Sequence, residues 1–242
     1  MIKYQLELNK NISVNVNIYI KPIKNFYLKI FKNKDIKLSI PKNTKIEQAY
    51  NFIDNKKLWI NNHILKVINN NQNVVKEKFY NGGYVYILGR KYNIVICKNK
   101  ENKIETKDLN VIIYSKKYND SNYVNKQYFK YLKEKSILFF QEKLNKYYSI
   151  FKKYNIQKPI LNVRKMKTKW GNCNIKNNKI VLNVSLFKTT VGCIEYIILH
   201  ELAHLIYLRH NEYFYKFLNL HMPQWTKYKK QLDTEFYGLI DK

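Results

Sequence analysis

Three of the chain's five histidines fall inside one short stretch, HELAHLIYLRH, running from His200 to His210. On a helix, positions i and i+4 share a face, so the imidazoles of His200 and His204 can converge on one metal ion. Glu201 projects about 100° round the axis from His200. Its carboxylate then lies beside the metal's open position and not on the metal. Two neutral imidazoles plus a third protein ligand leave one coordination site free, the catalytic pattern for zinc. A water there has its pKa lowered toward about 7, and Glu201 can take its proton as it attacks a carbonyl.

The third ligand follows from length. An unbroken helix would carry His210 about 9 Å along the axis beyond His204 and about 15 Å beyond His200, too far for bonds of about 2 Å. The chain must therefore leave the helix between Leu205 and Arg209 and fold back. Tyr207 stands in that break, so glycine's freedom at positive φ is not available there. Asn211 reads as the N-cap of a following helix, Glu212 to Leu220, with Glu212 favourably placed in its first turn. His210 just ahead of that cap is the preferred third ligand. His221, near Pro223 at the end of the next helix, is the rival. A closed structural zinc site would call for four ligands, usually with cysteine; Cys97, Cys173 and Cys193 are scattered, and none lies in the histidine cluster.

The elements that must position these groups are legible in part. The apolar run 194–199 leads into His200 and predicts a buried helix beginning near Val191. Ahead of it, two strands are expected, residues 160–166 and Lys179 to Val184. A long helical period starts near Ser121, runs through Phe151 and stops at Pro159. A last helix follows Pro223. The N-terminal half reads as short alternating strands at 4–8, 12–20, 26–31, 36–40, 85–88, 92–96 and 111–114. A helical insertion opens where Thr44 and Glu47 have capping-box spacing. The polar stretch 69–73 is expected to be a loop, and the isolated His63 a surface residue. The expected class is α+β: an antiparallel β-rich region over residues 1–115, then a small domain over 116–242 whose histidine-bearing helix lies beside a short sheet. No internal repeat is visible.

Composition narrows the classes further. Hydrophobic residues make up 45% and aromatics 15%, ample for a core and against disorder. No apolar run approaches the ~20 residues of a membrane span, the start lacks a secretory signal pattern, and three unclustered cysteines make no disulfide framework. A cytoplasmic protein is expected, with no membrane partner. The formal charge of +28 points to nucleic acid only weakly. Just three of the 45 basic residues are arginine (Arg90, Arg164, Arg209), the lysines are spread over the whole chain, and arginine-based base readout has little material.

Three blocks resemble the YgjP-like zinc metallopeptidases, relatives of the SprT-like group among the zincins. Residues 163–173, VRKMKTKWGNC, are similar to that family's VRxMKxxWGSC segment. Residues 180–183, IVLN, resemble its IxLN strand, and HELAHLIYLRHNEYFY its HELAHLxxxNHSxxFW block. The resemblance implies a zincin-type domain holding one zinc ion per chain through His200, His204 and His210, with Glu201 as general base and a peptide or protein as substrate. By similarity, the strand Lys179 to Val184 could bind substrate backbone along its edge, with Gly171 allowing a close backbone approach. Asn172 and Asn211 stand where the family has Ser, Arg209 where it has Asn, and Tyr215 where it has Trp. None of these replaces a ligand or the base. Arg164, Asn172 or a tyrosine could serve as oxyanion donor, and Trp170 and Cys173 read first as core residues. The leading expectation is a zinc metallopeptidase; the alternative is a basic nucleic-acid-associated protein with a structural or vestigial zinc site.

Overall fold

The structure, a computed structural model, describes residues 2–9, 12–31, 35–61, 64 and 75–240. His63 and the stretch 69–73 lie outside them. The chain forms two compact units, Met1–Asn73 and Val74–Lys242.

In the first unit, strands β1 (Ile2–Asn9), β2 (Ile12–Lys21), β3 (Tyr27–Ile30) and β4 (Ile36–Pro41) precede helix α1 (Ile46–Asn55). The sheet order is β1-β2-β4-β3. Period-two alternation puts Leu6, Leu8, Val14, Val16, Ile18, Ile36, Leu38 and Ile40 on one face. They pack there with Ala49, Ile53, Ile60 and Ile64 in a closed core. The expected capping box does not form. The helix starts one residue late, at Ile46, with Lys45 as a cap that makes no side-chain bond. The Thr44 N–H instead donates to the Pro41 carbonyl.

The second unit opens with β5 (Tyr84–Ile87), β6 (Arg90–Lys98), β7 (Lys103–Lys107) and β8 (Asn110–Ser115) in the order β5-β6-β8-β7. Both sheets are mixed, not purely antiparallel. In each, two outer pairs are antiparallel and the central pair, β2 with β4 or β6 with β8, is parallel. The chain therefore does contain a topological repeat. It escapes the sequence because pairing order, and not residue identity, is what recurs. Both hairpins of the second sheet turn on two residues at positive φ, Leu88 with Gly89 and Asp108 with Leu109. This conformation matches strand twist in two-residue turns.

The boundary expected near residue 115 is corrected to Val74. The change of period there marks a switch from strand to helix, not from one core to another. Val85, Ile87, Ile94, Val111 and Ile113 share one core cluster with Val124, Tyr128 and Leu132 of α2 (Ser121–Tyr148). The first hairpin is also tied down beyond α2: the Leu88 N–H donates to the Phe187 carbonyl at 2.8 Å. Helix α2 is capped by Asp120, which accepts from the Tyr123 N–H. It gives way to a 3-10 turn, Ser149–Tyr154, that ends on the left-handed Asn155 and not at Pro159.

A third sheet supports the site. Strands β9 (Ile160–Arg164), β10 (Gly171–Asn174) and β11 (Lys179–Asn183) have the order β10-β11-β9. The strand expected to offer a free edge, β11, is therefore the central one, and β10 is the edge. The reason is in its burial: Ile180, Val181, Leu182 and Asn183 are all buried, as a strand covered on both faces requires. Helices α3 (Val191–Ala203), α4 (Glu212–His221) and α5 (Trp225–Thr234) complete the unit. The fold is thus α+β, with the histidine-bearing helix beside a short sheet.

Candidate metal centre

Helix α3 is apolar on nearly every side, with Ile194, Tyr196, Ile197, Ile198, Leu199 and Leu202 buried. Such a helix is fixed by packing, so the polar groups at its C-terminal end have little freedom. It stops at Ala203, with His204 as its C-cap. The Tyr207 N–H closes the last turn on the Ala203 carbonyl at 2.9 Å. The break comes slightly earlier than length alone required. It also needs no positive φ: no residue from Leu205 to Arg209 adopts one, which is how a tyrosine fits where glycine's freedom was unavailable. The returning chain is pinned by Asn211, whose side chain accepts from the Phe214 N–H at 3.0 Å. That is the N-cap read from the sequence.

The fold-back brings His210 to the other two histidines. Its Nε2 lies 3.2 Å from His200 Nε2 and 3.1 Å from His204 Nε2. Two ligands at about 2.0–2.1 Å from a tetrahedral ion stand about 3.3 Å apart; both distances from His210 match this, and all three ligand nitrogens lie within 4.8 Å of one another. Among the described residues, these three form the one group of His, Cys, Asp or Glu side chains able to hold a metal. His221 is not part of it; its ring packs on Phe217 at 4.5 Å between centroids.

The surroundings of the rings also suit a metal. His204 Nδ1 lies 3.0 Å from the Tyr207 carbonyl, a contact that places the proton on Nδ1 and leaves the Nε2 lone pair outward. Burial, helped by the other two rings, pushes His200 down to about 3. Burial likewise lowers His210. Neutral imidazoles near neutral pH are what a metal needs. Three converging imidazole donors, with no thiolate or carboxylate among them, fit zinc.

One residue beneath the tripod was not singled out from the sequence. Phe214, fully buried, has its ring centroid 5.0, 4.9 and 4.7 Å from those of His200, His204 and His210. A single phenyl thus floors all three imidazoles. Its position three residues after the capping Asn211 was the available signal.

Glu201 lines the same cleft, of about 400 Å³, without joining the tripod. It is 7% exposed. Burial raises its carboxyl to about 7, against the opposing pull of Lys169 and of the Cys173 N–H, which donates to the carboxylate. Gly171 explains the fit. A Cβ there would come within 2.7 Å of Glu201 Oε1, so β10 can pass the carboxylate only with glycine at that point. The close approach expected of Gly171 is real, and its partner is the carboxylate.

The strand is aligned from behind by Asn183. Its Nδ2 donates to the carbonyls of Met166 and Lys169 at 2.8 and 2.9 Å, and its backbone N–H donates to the Trp170 carbonyl at 2.8 Å. This fully buried amide gathers the loop that delivers Lys169 to the cleft. Of the oxyanion candidates, Asn172 lines the cleft, whereas Arg164 and the tyrosines are not among its lining residues; Lys169, which was not a candidate, is. Trp170 packs against the core, and Cys173 lies half-buried between the core and the cleft.

A family model described as YgjP-like, metallopeptidase domain, matches residues 24–235. Among solved structures, the chain is similar to the metallopeptidase zymogen of Pyrococcus abyssi abylysin, at 18% identity and a TM-score of 0.35, over 40% of this chain and 98% of that one. It is also similar to the metallopeptidase zymogen of Methanocaldococcus jannaschii jannalysin, at 22% identity and a TM-score of 0.33, over 39% and 93%. No curated protein matches the chain.

Proposed function

The chain belongs to the YgjP-like family of metallopeptidase domains, and from that premise we propose zinc-dependent hydrolysis of peptide bonds, with His200, His204 and His210 as ligands of one zinc ion and Glu201 as general base. The observation that carries this reading is the convergence of the three histidines, with His210 Nε2 3.2 and 3.1 Å from the Nε2 atoms of His200 and His204, and a buried carboxylate in the same cleft but outside the group. Zinc bound in this way supplies a lowered pKa for water and polarisation of the substrate carbonyl.

The chain's own residues handle the rest. Glu201, buried beside the histidines, takes a proton from the attacking water and returns it to the departing amine. The Cys173 N–H holds the carboxylate, and Gly171 keeps room for it. Beside them, β10 has one side unpaired within its sheet, so a peptide backbone can add to it as a further strand. Lys169 and Asn172 line the cleft, and we assign them to the developing oxyanion. With three free cysteines and no helix among the described residues long and apolar enough to cross a membrane, the proposed setting is the cytoplasm, and the proposed substrate a peptide or unfolded protein.

The test is Glu201→Gln. Purified without chelators, the variant should retain about one zinc per chain while turnover of an unfolded protein substrate falls about 10²–10⁴-fold. Unchanged turnover would exclude Glu201 as the base.

A further inference from the structure

The lysines are spread along the sequence, but folding collects some of them on one surface. In Met1–Asn73 the alternation that buries one face of the sheet turns the other outward. Across β2, β4 and β3, Tyr19 pairs with Ser39 and Ser39 with Tyr27. Two tyrosines therefore flank one small residue, about 9–10 Å apart over two strand spacings. The adjacent row reads Lys3, Asn17, Lys37 and Lys29 from β1 to β3. Lys37 Nζ sits 4.1 Å from the Tyr19 ring centroid, and Lys29 Nζ 4.9 Å from that of Phe31, next in the alternation beyond β3. Lys21 lies at the end of the Tyr19 strand. Tyr27 is 57% exposed. Among the outward positions of the four strands the one carboxylate is Glu7, at the far end opposite Ser13.

We propose that this face is a platform for single-stranded nucleic acid. One unstacked base lies on Tyr27 and another on Tyr19, where it displaces the Lys37 ammonium from that ring to a phosphate; the rest of the lysine row neutralises the phosphates that run past them. Aromatic stacking accepts any base, and lysine contacts to phosphate carry no sequence information. The scarcity of arginine, which argues against base readout, is thus no obstacle to this mode. A duplex fits poorly, since its bases are already stacked on one another.

The second sheet has the same topology and serves as an internal contrast. Its outward face sets Val95, Ile112 and Glu105 in one row, and its Tyr114 hydroxyl and Lys103 are both engaged by Glu105. There a carboxylate engages the aromatic and basic groups; on the first sheet Lys37 and Lys29 lie against aromatic rings, and no outward strand position beside them carries a carboxylate. The proposal is independent of the peptidase reading, because it concerns the other compact unit and is read by binding alone.

The experiment is fluorescence anisotropy of the full chain with a labelled oligothymidylate of about 15 nucleotides. Tyr27→Ala and Tyr19→Ala should each weaken binding at least about fivefold, while Tyr19→Phe and Tyr27→Phe stay within about twofold of wild type. Lys29→Gln combined with Lys37→Gln should reduce the slope of log K against log salt by about 1.4. Tyr84→Ala on the second sheet should leave binding unchanged. Tyr27, being mostly exposed, tolerates truncation without unfolding, so its variant decides the matter by itself. Wild-type affinity in Tyr27→Ala would overturn the proposal. So would equal loss in Tyr84→Ala, equal affinity for a duplex of the same length, or equal competition by polyglutamate.

Discussion

The two four-stranded sheets share strand order and pairing sense, yet they end in different kinds of structure. In the first unit the sheet's apolar face is closed by α1 and the residues just beyond it, Ile60 and Ile64. The sheet is also followed by its own helix, and no cluster of metal-binding side chains arises there among the described residues. In the second unit the corresponding sheet shares its core with α2 and with the elements around α3, and a third sheet is added to hold β10 against Glu201. The lesson is that the topology itself carries no chemistry. The site exists where a helix buried on most of its surface ends, and the chain turns back on it.

That contrast can be broken at several points. Phe214→Ala removes the floor of the tripod and should cost about 3–5 kcal/mol. The loss should fall on Val74–Lys242 alone, seen by hydrogen exchange as faster opening of α3 and α4 with β1 to β4 unchanged. Equal loosening of both units would mean that they share a core after all.

A second prediction uses pH. In the metal-free protein Glu201 holds its proton up to about 7, while in the unfolded chain it ionises near its ordinary value of 4.5. Between those values folding takes up a proton, so this group's contribution is present in full below about 4.5 and is lost as pH rises toward 7. Relative to Glu201→Gln, wild type should therefore lose stability with rising pH across that window, by up to about 1.4 kcal/mol per pH unit. Denaturant titrations of both proteins in chelator would show it, and a flat difference would mean that the carboxylate is not buried. The smallest expected effect is on the other side of the comparison. Ile36→Val should cost the first unit about 0.5–1.5 kcal/mol and leave metal content and peptide turnover as they are.

What could be read from the sequence was local. His200 and His204 at i and i+4, the forced break after them, and the cap at Asn211 all follow from helix geometry within about a dozen residues, and the structure has each of these features. What could not be read was long-range. Parallel pairing of β2 with β4, or of β6 with β8, joins segments whose own patterns are indifferent to their partner. The same holds for β10: Gly-Asn-Cys-Asn has no strand signal and becomes a strand only because β11 lies beside it and Glu201 needs Gly171. The boundary near 115 failed for a related reason, since periodicity reports the element and not the core it joins. Asn183 and Phe214 fall on fixed letters of the family blocks, but their roles could not be read, because a buried amide and a buried phenyl look like packing until their partners are known.

The central claim is that three imidazoles hold one zinc while a neighbouring carboxylate stays free, and metal content tests it most directly. Wild type and Glu201→Gln, purified without chelator, should each carry about one zinc per chain, and His200→Ala, His204→Ala and His210→Ala should each lose it. Metal-free wild type, or full zinc in the His210 variant, would contradict the account.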